Sequence, residues 1–112
     1  MKKVIAVDMD LTLTKEEVKD VINKSFIQIE KEMLFLKPNT AIIKIVNRLA
    51  KKNEIIIFTT RADYFKKVTK KWLKLNKVKY NEIIFGKPYY DYIIDDKSIL
   101  LRQTEDVLYE KI

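Results

Sequence analysis

Three short apolar runs in this chain each stop on polar residues, and that repeated pattern limits the fold more than any other feature. Val4, Ile5, Ala6 and Val7 run into Asp8, Met9 and Asp10; Ile55, Ile56, Ile57 and Phe58 run into Thr59, Thr60 and Arg61; Tyr92, Ile93 and Ile94 run into Asp95 and Asp96. Continuous apolar runs of this length, without polar alternation, are what strands buried on both faces require. Such strands are parallel, and parallel strands need crossover segments, so the chain reads as α/β with a central, mainly parallel sheet. Crossovers of one hand place all the strand C-termini on one edge of the sheet, where open α/β sheets hold ligands. Acids, hydroxyls and a cation distant in sequence are thereby expected to meet there.

The segments between the runs carry helical spacing. Thr14-Lys15-Glu16-Glu17 has the form of a capping box and predicts a helix from Lys15 to about Lys31, with Val18, Val21, Ile22, Phe26, Ile29 and Met33 as its apolar stripe. Residues 27–30 also fit a short alternating strand. Pro38 closes the segment, Asn39 is placed as the N-cap of a second helix, and Ile42, Ile45, Val46 and Leu49 form that helix's buried face. From Ala62 to about Asn76 a third helix buries Phe65, Val68, Trp72 and Leu75, leaving Lys66, Lys67, Lys70, Lys71 and Lys74 outside. Residues 80–85 read as a further strand, Gly86-Lys87-Pro88 as a turn, and the residues after Asp96 as one or two short closing helices.

With 112 residues, the chain is expected to be one domain with one core. An excess of 23 Lys and Arg over 16 Asp and Glu, net +7, favours anionic partners without choosing among nucleic acid, phosphorylated metabolites and anionic lipid. The absence of cysteine excludes a disulfide framework and a thiolate metal site. The apolar run after Lys3 is too short for a signal peptide, and no run approaches membrane-spanning length, so a cytoplasmic protein with no membrane partner is the expectation.

Asp8 and Asp10 are the residues around which chemistry is expected. In an extended segment side chains repeat every two residues, so both carboxylates can face one pocket while Met9 turns away. Carboxylates so placed can bind a hard cation through oxygen, and one can attack phosphorus while the other moves protons. Neither role needs histidine or cysteine, and the chain has neither. A nucleophilic carboxylate approaching an anionic phosphate needs a cation and fixed donors to neutralise both. Asp8, Asp10, Asp95 and Asp96 are candidate acids for Mg²⁺, and Thr59 and Lys87 are candidate donors.

In order along the chain, Asp8-Met9-Asp10-Leu11-Thr12, the apolar run into Thr59-Thr60-Arg61, Gly86-Lys87-Pro88, and Ile93-Ile94-Asp95-Asp96 resemble the four motifs of the haloacid dehalogenase (HAD) superfamily of phosphohydrolases, across residues 4–97. The resemblance implies a three-layer Rossmann-like (HAD-like) fold. It implies that Asp8 is the nucleophile that becomes phosphorylated and a magnesium ligand. Asp10 would be the general acid and base, giving its backbone carbonyl to the metal. Thr59 would hold a phosphate oxygen, with Thr60 the alternative if the register slips by one. Lys87 would neutralise the nucleophile and the transferring group, and Asp95 and Asp96 would complete the metal site, Asp95 as the closer ligand. Arg61 would clamp substrate phosphate or pair with one of the acids. Leu11 stands where a glycine is most familiar in the superfamily.

Large substrate-screening caps enter such proteins after the first motif or before the third, and this chain has room only for residues 15–37 as a small helical insert or lid. No separate cap domain is expected. About four strands in the order 3-2-1-4 are expected, with the third strand short and at the edge. Six residues reach at most about 20 Å, so residues 86–91 would have to be extended. The chain most resembles small phosphatases of capsule or polysaccharide biosynthesis and, more distantly, polynucleotide 3′-phosphatase domains. The expected function is a magnesium-dependent phosphomonoesterase acting through an aspartyl phosphate on a sugar phosphate or similar small metabolite. The alternatives are a polynucleotide 3′-phosphatase and a non-catalytic phosphate- or partner-binding module. The lysines from Lys66 to Lys79 read as the solvated face of a helix rather than a polynucleotide track. The apolar stripe of residues 15–37 is expected to be partly buried in the domain or in a homodimer.

Overall fold

The computed structural model describes residues 2–85 and 92–94, and the side chains of all of these but Tyr92 and Ile93. Lys87, Asp95, Asp96, the turn at 86–88 and the closing helices expected after Asp96 lie outside the described residues. Among the described residues there are four strands, β1 (Val4–Asp8), β2 (Glu54–Thr59), β3 (Glu82–Phe85) and β4 (Tyr92–Ile94). Three α-helices accompany them, α1 (Phe26–Leu34), α2 (Thr40–Leu49) and α3 (Lys66–Leu75).

All pairings are parallel, in the order β3-β2-β1-β4. Val7 lies opposite Ile57 on one side and Ile94 on the other, so paired residues share a face of the pleat. Ile5, Val7, Ile55, Ile57 and Ile94 are all fully buried and meet Ile42, Val46 and Leu49 of α2 and Trp72 and Leu73 of α3 in one core. Ala6 and Ile56 point to the opposite face and are buried as well. This two-sided burial is why the sequence shows unbroken apolar runs rather than alternation.

Asn39 caps α2 as expected, its Oδ1 accepting from the Ile42 N–H at 3.3 Å. The third helix is preceded by a 3-10 turn over Asp63–Phe65 and differs in its buried face. Leu73 is fully buried while Leu75 is 60% exposed, because the side of α3 that meets the sheet core is set by Trp72 and Leu73. The Trp72 indole N–H donates to the Leu36 carbonyl at 2.9 Å, tying α3 to the chain that leads into α2.

The insert departs further from expectation. Lys15 does not start a helix. Thr14 forms an antiparallel bridge with Pro38, the Lys15 N–H donates to the Lys37 carbonyl at 2.8 Å, and the Asn39 N–H donates to Leu13 at 2.7 Å. The excursion therefore leaves and returns through a two-stranded pinch that holds Thr14 extended. Asp20 adopts a left-handed conformation (φ 54°), followed by a 3-10 turn over Val21–Asn23. The helix begins only at Phe26, where the Ser25 hydroxyl accepts from the Gln28 N–H, so the working N-cap is Ser25 rather than Thr14. Residues 27–30 are helical and not a strand.

The predicted apolar stripe is split accordingly. Ile29 and Met33 pack on Phe65 and Val68 in a second small core, with Val18 and Leu34 at its margin. Ile22 is 92% exposed, and Val21, Phe26 and Ile27 are exposed with it. No helix among the described residues is long and apolar enough to cross a membrane.

Trp72→Phe keeps most of the apolar volume but strands the buried Leu36 carbonyl. It should lower unfolding free energy by about 1–3 kcal/mol, read as a lower urea midpoint at unchanged m-value.

Candidate active site

The C-terminal ends of β1 and β2 are neighbours, Asp8 lying opposite Phe58 with Thr59 one residue further on. Adjacent strands are about 4.8 Å apart, so the Asp8 and Thr59 backbones share one short stretch of sheet edge. Asp8 is partly exposed and its carboxylate accepts from the Met9 N–H at 2.9 Å. Thr59 is 2% exposed, and its Oγ1 accepts from the Arg61 N–H at 3.1 Å, which leaves the hydroxyl proton for another acceptor. Thr60 is exposed beyond the end of β2.

Asp10 reaches the site by a route that strand alternation does not describe. β1 ends at Asp8, and residues 9–13 form a wide turn closed by the Thr14 N–H on the Met9 carbonyl at 3.2 Å. Met9 does turn away, into the core, where it is fully buried. Within the turn Asp10 is extended and Leu11 is left-handed (φ 64°, ψ 10°). A non-glycine residue held there costs roughly 1–2 kcal/mol, which gives a physical reason for the glycine familiar at this place in the resembling family. Thr14 stabilises the turn, its Oγ1 accepting from the Leu11 N–H at 3.0 Å and donating to the Glu16 carbonyl at 2.7 Å.

Arg61 closes the arrangement and uses its whole side chain to do so. Nη2 lies 2.7 Å from Asp10 Oδ1 and Nε 3.1 Å from Asp10 Oδ2, a bidentate pair, while Nη1 donates to Thr69 Oγ1 at 2.9 Å. Thr69 passes its own proton to the Phe65 carbonyl at 2.8 Å. The Arg61 side chain is only 4% exposed and that of Asp10 25%. Of the two roles weighed for Arg61, the geometry places it on the acid. A planar fork on a carboxylate fixes the orientation of that carboxylate as well as its charge.

Sequence reasoning missed Thr69, which carries no motif signal: a threonine eight residues beyond Arg61 on a lysine-rich helix looks like surface, yet it is fully buried. It also assigned Thr14 to the wrong task. Thr12 Oγ1 is buried with no hydrogen-bond partner, a polar atom left open beside the two acids in sequence.

The donors at this edge are hard oxygens, with no thiol or imidazole in the chain, which fits Mg²⁺ chemistry better than Zn²⁺. Both Asp10 carboxylate oxygens face Arg61, so the backbone carbonyl is its natural contribution to a cation. Among the described residues no group of three or more acidic, histidine or cysteine side chains gathers, and Asp95 and Asp96, the remaining candidate ligands, lie outside them.

No family model and no curated protein matches the chain. Two solved structures do. One, described as the structure of a Pnkp1/Rnl/Hen1 complex, has a chain 15% identical over all of this one with a TM-score of 0.57. The other, the Pnkp1/Rnl/Hen1 RNA repair complex, has a chain 13% identical over 99% of this one with a TM-score of 0.59. At this identity the likeness is one of fold. The present chain spans about a third of the length of those chains, 35% and 32%.

Thr69→Val preserves shape but leaves the Arg61 Nη1 donor without its acceptor in the interior, while the Phe65 carbonyl keeps only its helix bond. Stability should fall by about 1–3 kcal/mol in urea unfolding, and combining it with Arg61→Met should cost less than the sum of the two single changes.

Proposed function

We propose that the chain is a magnesium-dependent phosphomonoesterase of the HAD type that acts on the 3′-phosphorylated end of a polynucleotide. The observation that carries the catalytic part is the meeting of Asp8, Thr59 and an Arg61-clamped Asp10 at one edge of a parallel sheet. The fold likeness to chains of an RNA repair complex and the net charge of +7 favour the polynucleotide over the sugar phosphate that the sequence first suggested.

In this reading an Asp8 oxygen attacks phosphorus, and the bond from phosphorus to the 3′ oxygen breaks. Asp10 enters this cycle protonated and gives its proton to the departing alkoxide, which leaves it as the carboxylate. Asp10 then removes a proton from water as its oxygen attacks the aspartyl phosphate, which releases inorganic phosphate and restores the Asp8 carboxylate. A carboxylate has about four lone-pair sites and Arg61 takes two, so Asp10 keeps sites for this proton traffic while held in one orientation. The Thr59 hydroxyl donates to a phosphate oxygen, and Lys87, by the resemblance of its motif, would balance charge at the nucleophile. Asp8, the Asp10 carbonyl and Asp95 or Asp96 would hold Mg²⁺, which supplies the positive charge that lets an anionic nucleophile meet an anionic phosphate.

The test is steady-state hydrolysis, with Mg²⁺, of a 3′-phosphorylated oligonucleotide against a sugar phosphate. The oligonucleotide should have the higher kcat/KM by about tenfold or more, and Asp8→Asn should abolish both activities, because an amide is a far poorer nucleophile. A sugar phosphate turned over as well as or better than the oligonucleotide would return the substrate to small metabolites. Absence of hydrolysis on every phosphomonoester would leave a non-catalytic module.

A further inference from the structure

Outside the catalytic edge, α1 and α3 enclose a groove of about 280 Å³ lined by Glu30, Lys31, Leu34, Lys67, Val68 and Lys71. Its floor is apolar, through Leu34 and Val68, and its walls carry three lysines against one glutamate. Lys67 and Lys71 stand one helical turn apart, about 6 Å along α3, and face Lys31 across the groove.

At the N-terminal ends of α1 and α3 lies a pair of exposed aromatic rings. Phe26 opens α1 and Tyr64 precedes α3; their ring centroids are 4.7 Å apart, and Phe65 supports both edge-on, at 5.8 Å from Phe26 and 5.2 Å from Tyr64. Phe26 is 58% exposed and Tyr64 55%, whereas Phe65 beneath them is buried. The Glu30 carboxylate beside Tyr64 raises the pKa of the phenol above its ordinary value. Three lysines against this one acid leave the groove net positive. Tyr64 is three residues from Arg61, the residue that holds Asp10, so the Cα atoms of the two lie within roughly 11 Å of each other.

A rigid aromatic platform beside a reactive site, continuing into a cationic groove with an apolar floor, is the combination that binds single strands. Bases stack on the rings and the phosphodiester backbone meets the cations. A duplex hides its base faces and would leave the platform unused. We propose that Phe26 and Tyr64, with Lys31, Lys67 and Lys71, form the track on which a single-stranded polynucleotide lies when its terminal phosphate is presented to Asp8. This rests on the phosphatase reading above for the role of Asp8, but the track itself is a binding surface and is measured without catalysis. It also revises the view of the lysines as surface only, separating Lys67 and Lys71 in the groove from the other lysines of α3.

The experiment measures fluorescence anisotropy of short labelled single strands of RNA and DNA, without a terminal phosphate, binding to the full chain. Acetyl phosphate hydrolysis, whose substrate carries no ring, is followed in parallel. Phe26→Ala and Tyr64→Ala should each weaken strand binding by about 5- to 100-fold and leave acetyl phosphate turnover unchanged. The double variant Lys67→Gln, Lys71→Gln should lower the slope of log affinity against log salt by about 1.4, whereas Lys51→Gln, Lys52→Gln, with the same charge change on an exposed turn, should leave it near the wild-type value.

Equal losses in the two lysine pairs, or ring variants that bind like wild type, would overturn the track. So would a homodimer in sedimentation analysis that Phe26→Ala dissociates, since the rings would then serve a second copy of the chain. Strand binding that needs the rings, in a protein that hydrolyses no phosphomonoester, would keep the track and remove the phosphatase reading. Turnover of acetyl phosphate with no strand binding would do the reverse.

Discussion

The structure turns on a partly buried ion pair between residues 51 positions apart, Arg61 and Asp10. Removing a guanidinium and a carboxylate from water is expensive, and an arrangement like this persists only if the remaining donors are satisfied. Each of the three guanidinium nitrogens has a partner here. Nε and Nη2 take both oxygens of Asp10 and Nη1 takes Thr69, whose hydroxyl proton goes to Phe65. One side chain thereby fastens the turn after β1, the exit of β2 and the first turn of α3. The left-handed backbone at Leu11 is tolerable because this pair on one side and Thr14 on the other hold the turn in place.

The same connections bring chemistry and packing together. Phe65, which accepts the bond from Thr69, also supports the Phe26–Tyr64 platform and belongs to the small core that seats α1. The insert is thus anchored twice, by the Thr14–Pro38 bridge at its base and by Ile29 and Met33 on α3. Both anchors leave Val21, Ile22, Phe26 and Ile27 facing outward.

Much of this was legible in the residues because burial writes itself into composition. The strands could be read from their unbroken apolar runs, and α2 from Asn39 and its spaced aliphatics, since each signal reflects a local requirement. The insert could not, because the fate of Thr14 was decided by Pro38, distant in sequence, and no propensity near Lys15 records that contact. The extended spacing assumed for Asp8 and Asp10 failed for a similar reason: the chain leaves the sheet at Met9 to bury its side chain. Thr69 was hidden among lysines, where only the third dimension shows that it faces inward.

In the proposed function Asp8 and Asp10 divide the work, one taking the phosphoryl group and the other moving protons. Asn at position 10 keeps the shape of the side chain and an acceptor for Arg61 but cannot serve as the base that activates water. With an aryl phosphate, whose leaving group needs little protonation, and Mg²⁺, intact-mass spectrometry of Asp10→Asn after rapid acid quench should show one added phosphoryl group, mapping to the peptide that contains Asp8. A phosphoryl group on another residue, or none while turnover continues, would contradict the account and point to direct attack by water.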